Sequence, residues 1–273
     1  MSFARRVVIR RMNALLASKN AVIYGAGGSL GGAVARTFAR EGAHVHLAGR
    51  TREPLDRVAA DIAAAGGRAE VAVVDATDEN AVDEHADAVA KQAGGIDVSF
   101  NLIKRGDVQG TPLIDLTTDR YLQAITTGAT TTFLTARAAA RHMVPRGSGV
   151  ILHLTSASSR GAAPMMGNTG PTDGATDTFH RYLAAELGPH GIRVTGIHTA
   201  AVAGTLTPES IAEVTGGPVP DLDAMLAGIA QMTMLKRLPE LQDIAETAAF
   251  LASDRAGAIT SGIVNATCGL VAG

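Results

Sequence analysis

A chain of 273 residues with 46% apolar side chains has enough material for one sizeable buried core, which excludes a disordered polypeptide. Its 24 Lys+Arg nearly balance 26 Asp+Glu, and aromatics make up only 3% with no Trp, so it lacks both the basic footprint and the stacking platforms of a nucleic-acid binder. No apolar run approaches the ~20 residues that span a bilayer, and the single Cys268 cannot close an internal disulfide, so the expectation is a cytoplasmic protein with no membrane partner.

The first forty residues hold seven basic and no acidic side chains, with Arg5, Arg6, Arg10 and Arg11 clustered before the first strand. The apolar h-region of a cleavable signal is missing, so residues 1–16 read as an N-terminal extension and 17–273 as the domain. Short apolar or β-branched runs then alternate with Ala-rich helical stretches. The first run, "AVIYG" (21–25), leads straight into Gly25-Ala26-Gly27-Gly28-Ser29-Leu30-Gly31-Gly32 and a helix. In that context Gly25 takes a tight turn, Gly27 and Gly28 keep side chains away from a pyrophosphate, and Gly31 lets the helix approach the sheet. The helix start offers free N–H groups and a positive dipole end to the phosphates.

The second run, "HVHLAG" (44–49), ends at Arg50 where an NAD-binding protein carries a carboxylate for the ribose. An Arg there can pair with a 2′-phosphate, which favours NADP over NAD. The third, "AEVAVVD" (69–75), closes on Asp75, placed either to accept from an adenine amino group or to cap the next helix. The fourth, "IDVSFNLI" (96–103), is followed by Lys104 and Arg105 at the same edge, either of which could stabilise an oxyanion or bind an acidic substrate. The fifth, "GVILHLTS" (149–156), ends at Ser156 and carries His153 on its opposite face, which points that ring toward the core or a helix. The sixth, "IRVTGIH" (192–198), ends at His198, within reach of the cleft. Residues 199–240 break the rhythm with "TGGPVP" between two helical stretches and read as a substrate lid, and "GIVNAT" (262–267) supplies a seventh strand. Seven such runs joined by helices predict a single-domain α/β Rossmann fold, a doubly wound parallel sheet with helices on both faces. The eight histidines and one cysteine show no metal-ligand spacing along the chain, so no metal is expected.

The glycine turn, "VVDATDENAV", "ARAAARHMVPRGSGVILHLTSASS", "LAAELGPHGIRVTGI" and "LPELQDIAETAAFLASDRAGAITSG" together resemble the short-chain dehydrogenase/reductase family over residues 17–270. The resemblance implies a bound nicotinamide cofactor, a small-molecule substrate and a homodimer or homotetramer. It puts Gly25, Gly27, Gly28, Ser29, Leu30, Gly31, Arg50, Asp75, Ala76, Asn101 and Ile103 along the cofactor, with Ser29 replacing the family's middle glycine. It also implies a Ser, Tyr, Lys and Asn acting together. Ser156 is kept. Counting back from "LAAELGPHGIRV" places Thr169 at the Tyr position and Asp173 at the Lys position, while Gly128 stands at the helix Asn.

An aliphatic hydroxyl, taken near the ~15.7 of water, ionises ~6 units above tyrosine, a handicap of ~8 kcal/mol. A carboxylate at Asp173 worsens it. Lys104 is then one alternative source of charge at the reaction centre. Two functional readings follow. One is an NADP(H)-dependent oxidoreductase whose proton transfer no longer uses tyrosine and lysine; the other is a catalytically inactive NADP-binding protein or regulatory subunit.

Overall fold

The computed structural model describes residues 14–161, 163–217 and 221–272. The four arginines of the expected extension lie outside these residues. Leu16, at the foot of that stretch, is fully buried and donates its N–H to the Glu41 carbonyl at 2.9 Å, so packed chain begins ahead of residue 17.

Seven strands form one all-parallel sheet: β1 (Asn20–Tyr24), β2 (His44–Gly49), β3 (Arg68–Val73), β4 (Val98–Asn101), β5 (Gly149–Ser156), β6 (Ile192–Thr199) and β7 (Ile263–Asn265). Their order is β3-β2-β1-β4-β5-β6-β7, so the winding reverses between β1 and β4. The strands match the runs read from the sequence to within two residues at either end; β4 and β7 are shorter at both ends, and β6 runs one residue further, to Thr199. β4 stops at Asn101 because the Asn101 Oδ1 accepts the Ile103 N–H at 3.0 Å and turns the chain out of the ladder.

Among the described residues, eight α-helices cover the sheet: α1 (Ser29–Arg40), α2 (Arg52–Ala64), α3 (Glu79–Ala93), α4 (Thr118–Met143), α5 (Thr169–Leu187), α6 (Pro208–Thr215), α7 (Leu222–Met232) and α8 (Leu241–Ala252). One face buries Val34 and Phe38 of α1, Leu55 and Ile62 of α2, and Ile244 and Leu251 of α8 against Ile23, Val45 and Phe100. The other buries Val82 and Ala86 of α3, Leu134 and Ala138 of α4, and Leu187 of α5 against Val22, Ile151 and Val194. Local chemistry sets the boundaries. Asp78 accepts from the N–H groups of Asn80 and Ala81 to start α3, and Gly94, at φ 80°, ends it in a left-handed conformation that favours glycine. α4 carries buried threonines without penalty because the Thr135 hydroxyl returns its hydrogen to the Thr131 carbonyl at 2.7 Å. The irregular stretch after β6 contains α6 and α7, the two helices expected there.

Candidate active site

The turn after β1 is held open for an anion. Gly25 sits at φ +79°, and a Cβ on it would lie 2.5 Å from the Leu102 carbonyl, where the loops after β1 and β4 diverge. A Cβ on Gly31 would meet the Gly25 carbonyl at 2.2 Å, which is why α1 can press against the turn. Gly28 caps α1 without a side-chain hydrogen bond, and its first turn holds no acidic residue, so the leading N–H groups have no side-chain partner and the dipole is uncompensated. Ser29 is exposed at the first helical position and stays outside the positive-φ set, so replacing glycine there strains nothing. A pyrophosphate fits this cradle.

Arg50 and Asp75 are exposed beyond the ends of β2 and β3. Asp75 does not cap α3; its Oδ1 accepts the Thr77 N–H at 2.9 Å and the Thr77 hydroxyl at 2.7 Å, and these bonds, with the charge of Arg50, hold its carboxyl below the ordinary range. Ala76 is buried beside it. Between the loops after β1, β4 and β5 lies a cleft of about 530 Å³, lined by Leu30, Asn101, Ile103, Arg105 and Ser156 among others and closed on one side by Thr205, Glu209 and Glu213 of the segment after β6. Asn101 steadies one wall by donating to the Thr131 hydroxyl at 3.2 Å.

Thr169 and Asp173, aligned by counting with the tyrosine and lysine of the family pattern, sit in the first turns of α5. Neither lines the cleft; Thr169 is 5% exposed and Asp173 0%. The loop after β4 lies over the start of α5 and covers both. It is stitched down by the Val108 N–H to Asn168 Oδ1 at 2.9 Å and by Gln109 Nε2 to the Thr169 hydroxyl at 3.2 Å, while Asn168 Nδ2 donates to the Arg120 carbonyl of α4 at 2.9 Å.

Under that loop lies a buried ion pair. Arg105 Nη1 donates to Asp173 Oδ1 at 2.6 Å, while its Nη2 and Nε donate to the two Asp107 oxygens at 2.8 and 3.4 Å. Asp173 Oδ2 accepts the Ser156 N–H at 3.0 Å and the Ser156 hydroxyl at 2.5 Å. Gly128 makes this possible: a Cβ there would lie 3.0 Å from Arg105 Cδ and 2.8 Å from Thr172 Cγ2. Burial pushes the Asp173 carboxyl up against the opposing pull of Arg105 and Ser156. Burial also opposes the charge on Arg105, but Asp173 and Asp107 outweigh it and raise its pKa. Arginine keeps its proton, and Asp173's close partners, Arg105 Nη1 and the Ser156 N–H and O–H, present hydrogens to the carboxyl, so the anion is the form that suits the pocket at neutral pH.

Lys104, the other cation weighed for the cleft, lines its open side, where it pairs with Glu213 at 3.0 Å with both side chains more than half exposed. His153 faces a helix as strand alternation requires, stacked on His180 of α5 at 3.7 Å. His198, expected within reach of the cleft, is buried and committed to Asp177 at 2.9 Å. Ser159 contacts the same His198 Nε2 at 3.1 Å, so this Ser, His and Asp share one ring nitrogen and cannot relay a proton as a catalytic triad does. Burial raises the Asp177 carboxyl, but His153, His198, Ser159 and Thr155 outweigh it and hold it well below the carboxylate range. Strand pairing also brings His44, His46 and Glu70 within 4.8 Å of one another, a grouping that spacing along the chain did not reveal; the His44–Glu70 contact of 3.1 Å accounts for part of it.

A doubly wound parallel sheet with a glycine turn at its switch point and a cleft above it is a dinucleotide-binding architecture. Residues 25–271 match the family described as Enoyl-(Acyl carrier protein) reductase. The chain is 29% identical to gluconate 5-dehydrogenase of Gluconobacter oxydans, over 91% of this chain and 93% of that one. It is 31% identical to the short-chain reductase protein NovJ of Streptomyces niveus, over 90% and 91%. Among solved structures, 7α-hydroxysteroid dehydrogenase complexed with NADH and 7-oxo glycochenodeoxycholic acid superposes with a TM-score of 0.82 at 28% identity, covering 94% of this chain and 96% of that one. The chain belongs to the short-chain dehydrogenase/reductase family of oxidoreductases. Two of the solved structures it resembles, the 7α-hydroxysteroid dehydrogenase and a xylitol dehydrogenase, hold NADH and NAD+ respectively, and among the described residues no helix is long and apolar enough to cross a membrane.

Proposed function

We propose that the protein is an NADP(H)-linked short-chain oxidoreductase acting on a small molecule, in which no tyrosine or lysine moves the proton. The observation that carries this reading is the Ser156–Asp173–Arg105 linkage beneath an intact glycine cradle. Gly27, Gly28 and Ser29 would face the pyrophosphate, Arg50 a 2′-phosphate, Asp75 and Ala76 the adenine side, and Asn101 and Ile103 the inner wall. The cofactor supplies hydride chemistry; the chain positions the reacting partners and excludes water. Residues 199–240 act as the lid. Phe133 and Tyr182, 47% and 71% exposed on α4 and α5, support a homodimer or homotetramer.

The burial of Thr169 and Asp173 also favours a second reading, a nucleotide-binding subunit without activity of its own. Titration of the purified protein with NADPH and NADH, followed by cofactor fluorescence against a Trp-free background, tests the first step of both. Absence of binding by either refutes both readings. Arg50→Asp should shift preference toward NADH; an unchanged ratio removes Arg50 from the 2′-phosphate site. Turnover of any substrate by the NADPH-bound protein decides for the enzyme.

A further inference from the structure

The hydroxyl of Ser156 is fully assigned except for one lone pair. Its hydrogen goes to Asp173 Oδ2 at 2.5 Å, and one lone pair accepts the Ser158 N–H at 3.2 Å. Toward the cleft it can therefore only accept, whereas a carbonyl oxygen needs a donor. The inner wall is also acidic. Arg105 and Asp107, 17% and 22% exposed at the side chain, line it together, and the guanidinium is shared with the fully buried Asp173 behind it, so one cation serves two carboxylates where charge is weakly screened. Lys104, the next nearest cation, is offset by Glu213, and Glu209 adds a further acid to the lining. Thr169, the residue at the proton donor's position, is covered by Gln109.

We propose that the substrate is a cationic carbon–nitrogen double bond, a protonated or N-alkylated imine, bound with its nitrogen toward Ser156 and Asp107. This deepens the reading of the cleft as an NAD(P)H site and rests on it. A carbonyl that takes a hydride becomes an alkoxide and needs an acid at once, and the one ammonium among the described lining residues, Lys104, is held by Glu213 at 3.0 Å. An iminium carbon takes the hydride pair from a reduced nicotinamide, its C=N π pair becomes the nitrogen lone pair, and the products are a neutral amine and the oxidised nicotinamide, with no proton moved. Such a reaction suits an acidic pocket: the carboxylates stabilise the bound cation, and Ser156 Oγ accepts an N–H where the imine is protonated. Asp107 is the residue that would touch the substrate; Arg105 and Asp173 position Ser156.

The test uses the full chain with NADPH and two bicyclic probes of similar size, the N-methyl-3,4-dihydroisoquinolinium cation and neutral 1-tetralone, with enzyme-free controls. The expected result is reduction of the cation at least roughly tenfold faster than the ketone, at a rate flat from pH 6 to 8 because no enzyme group supplies a proton. A second readout is independent of turnover. Calorimetric binding of the N-methyltetrahydroisoquinolinium cation, the product amine after protonation in water, should weaken roughly fivefold in Asp107→Asn, the scale of one partly exposed charge pair. The proposal fails if tetralone is reduced as fast as the cation, or if NADPH binds while the cation is neither bound nor reduced. Failure of NADPH to bind overturns the cofactor reading and this proposal with it.

Discussion

Replacing Arg105 with Met tests whether the buried ion pair organises the cleft. The substitution keeps the stem beside Gly128 but removes the 2.6 Å bond to Asp173, leaving a fully buried carboxyl with the two Ser156 donors and no counter-charge. Breaking a buried pair from one side costs about 3–5 kcal/mol. For a domain of this size each kcal/mol moves Tm by about 2–4 °C, so a fall of roughly 10 °C is expected. Its pH dependence has a definite sign. Burial already pushes the Asp173 carboxyl up, and without Arg105 nothing of comparable strength opposes it. The folded variant then holds a proton that the unfolded chain has released, so its stability falls as pH rises. Its deficit against the wild type should be largest near pH 8 and shrink toward pH 5.5. Urea titrations of both proteins at these two pH values measure it. Arg105→Met/Asp173→Asn should recover most of the loss, because the neutral amide needs no counter-charge. A deficit under about 1 kcal/mol, a pH-independent deficit, or additive effects in the double variant would refute the buried-pair argument.

The wild type itself should lose stability below pH 6.5, earlier than carboxylate titration alone dictates. Burial lowers His46 and His85 to about 4 and pushes His153 and His180 down as well, so the unfolded chain takes up protons first as pH falls from 6.5 toward 4. His46 by itself accounts for roughly 3 kcal/mol over that window, and a Tm that stays flat to pH 4.5 would contradict it. Thr169→Tyr/Asp173→Lys, which the family pattern suggests as a repair, should neither fold well nor reduce ketones. It sets a lysine against Arg105 and a phenol against Gln109, and ketone reduction by this variant would show that the loop does not cover α5. Gly31→Ala drives a Cβ to 2.2 Å from the Gly25 carbonyl and should lower both Tm and NADPH affinity, the latter read by cofactor fluorescence.

The cofactor end was legible in the sequence because its requirements are local. A glycine at φ +79°, a helix that begins four residues later and an Arg at the end of the next strand are neighbours along the chain, so residue type reports on geometry directly. The seven-strand sheet was legible for a related reason: strands buried on both faces must be nearly continuous apolar runs. The chemical end was legible only as a set of replacements. That Thr169 and Asp173 stand in place of tyrosine and lysine follows from counting. That they are sealed from the cleft does not, because the covering loop is 60 residues or more away in sequence from what it covers. Gly128 gave one readable hint, a glycine inside a long helix, which is costly unless something needs the space.

By itself, then, the sequence determined the parallel doubly wound sheet and the glycine turn after β1, since each depends on residue identity within one strand–turn–helix unit. Tertiary structure alone decided where the charge went. Arg105, Asp107, Gly128, Ser156 and Asp173 come from four separate segments, and only their packing shows that the Arg105 stem fills the space left at Gly128, that its guanidinium is shared between two carboxylates, and that the Ser156 hydroxyl hydrogen is committed to Asp173. Long-range electrostatics of this kind depends on burial and on distances of a few ångströms, quantities that no local pattern of residues encodes.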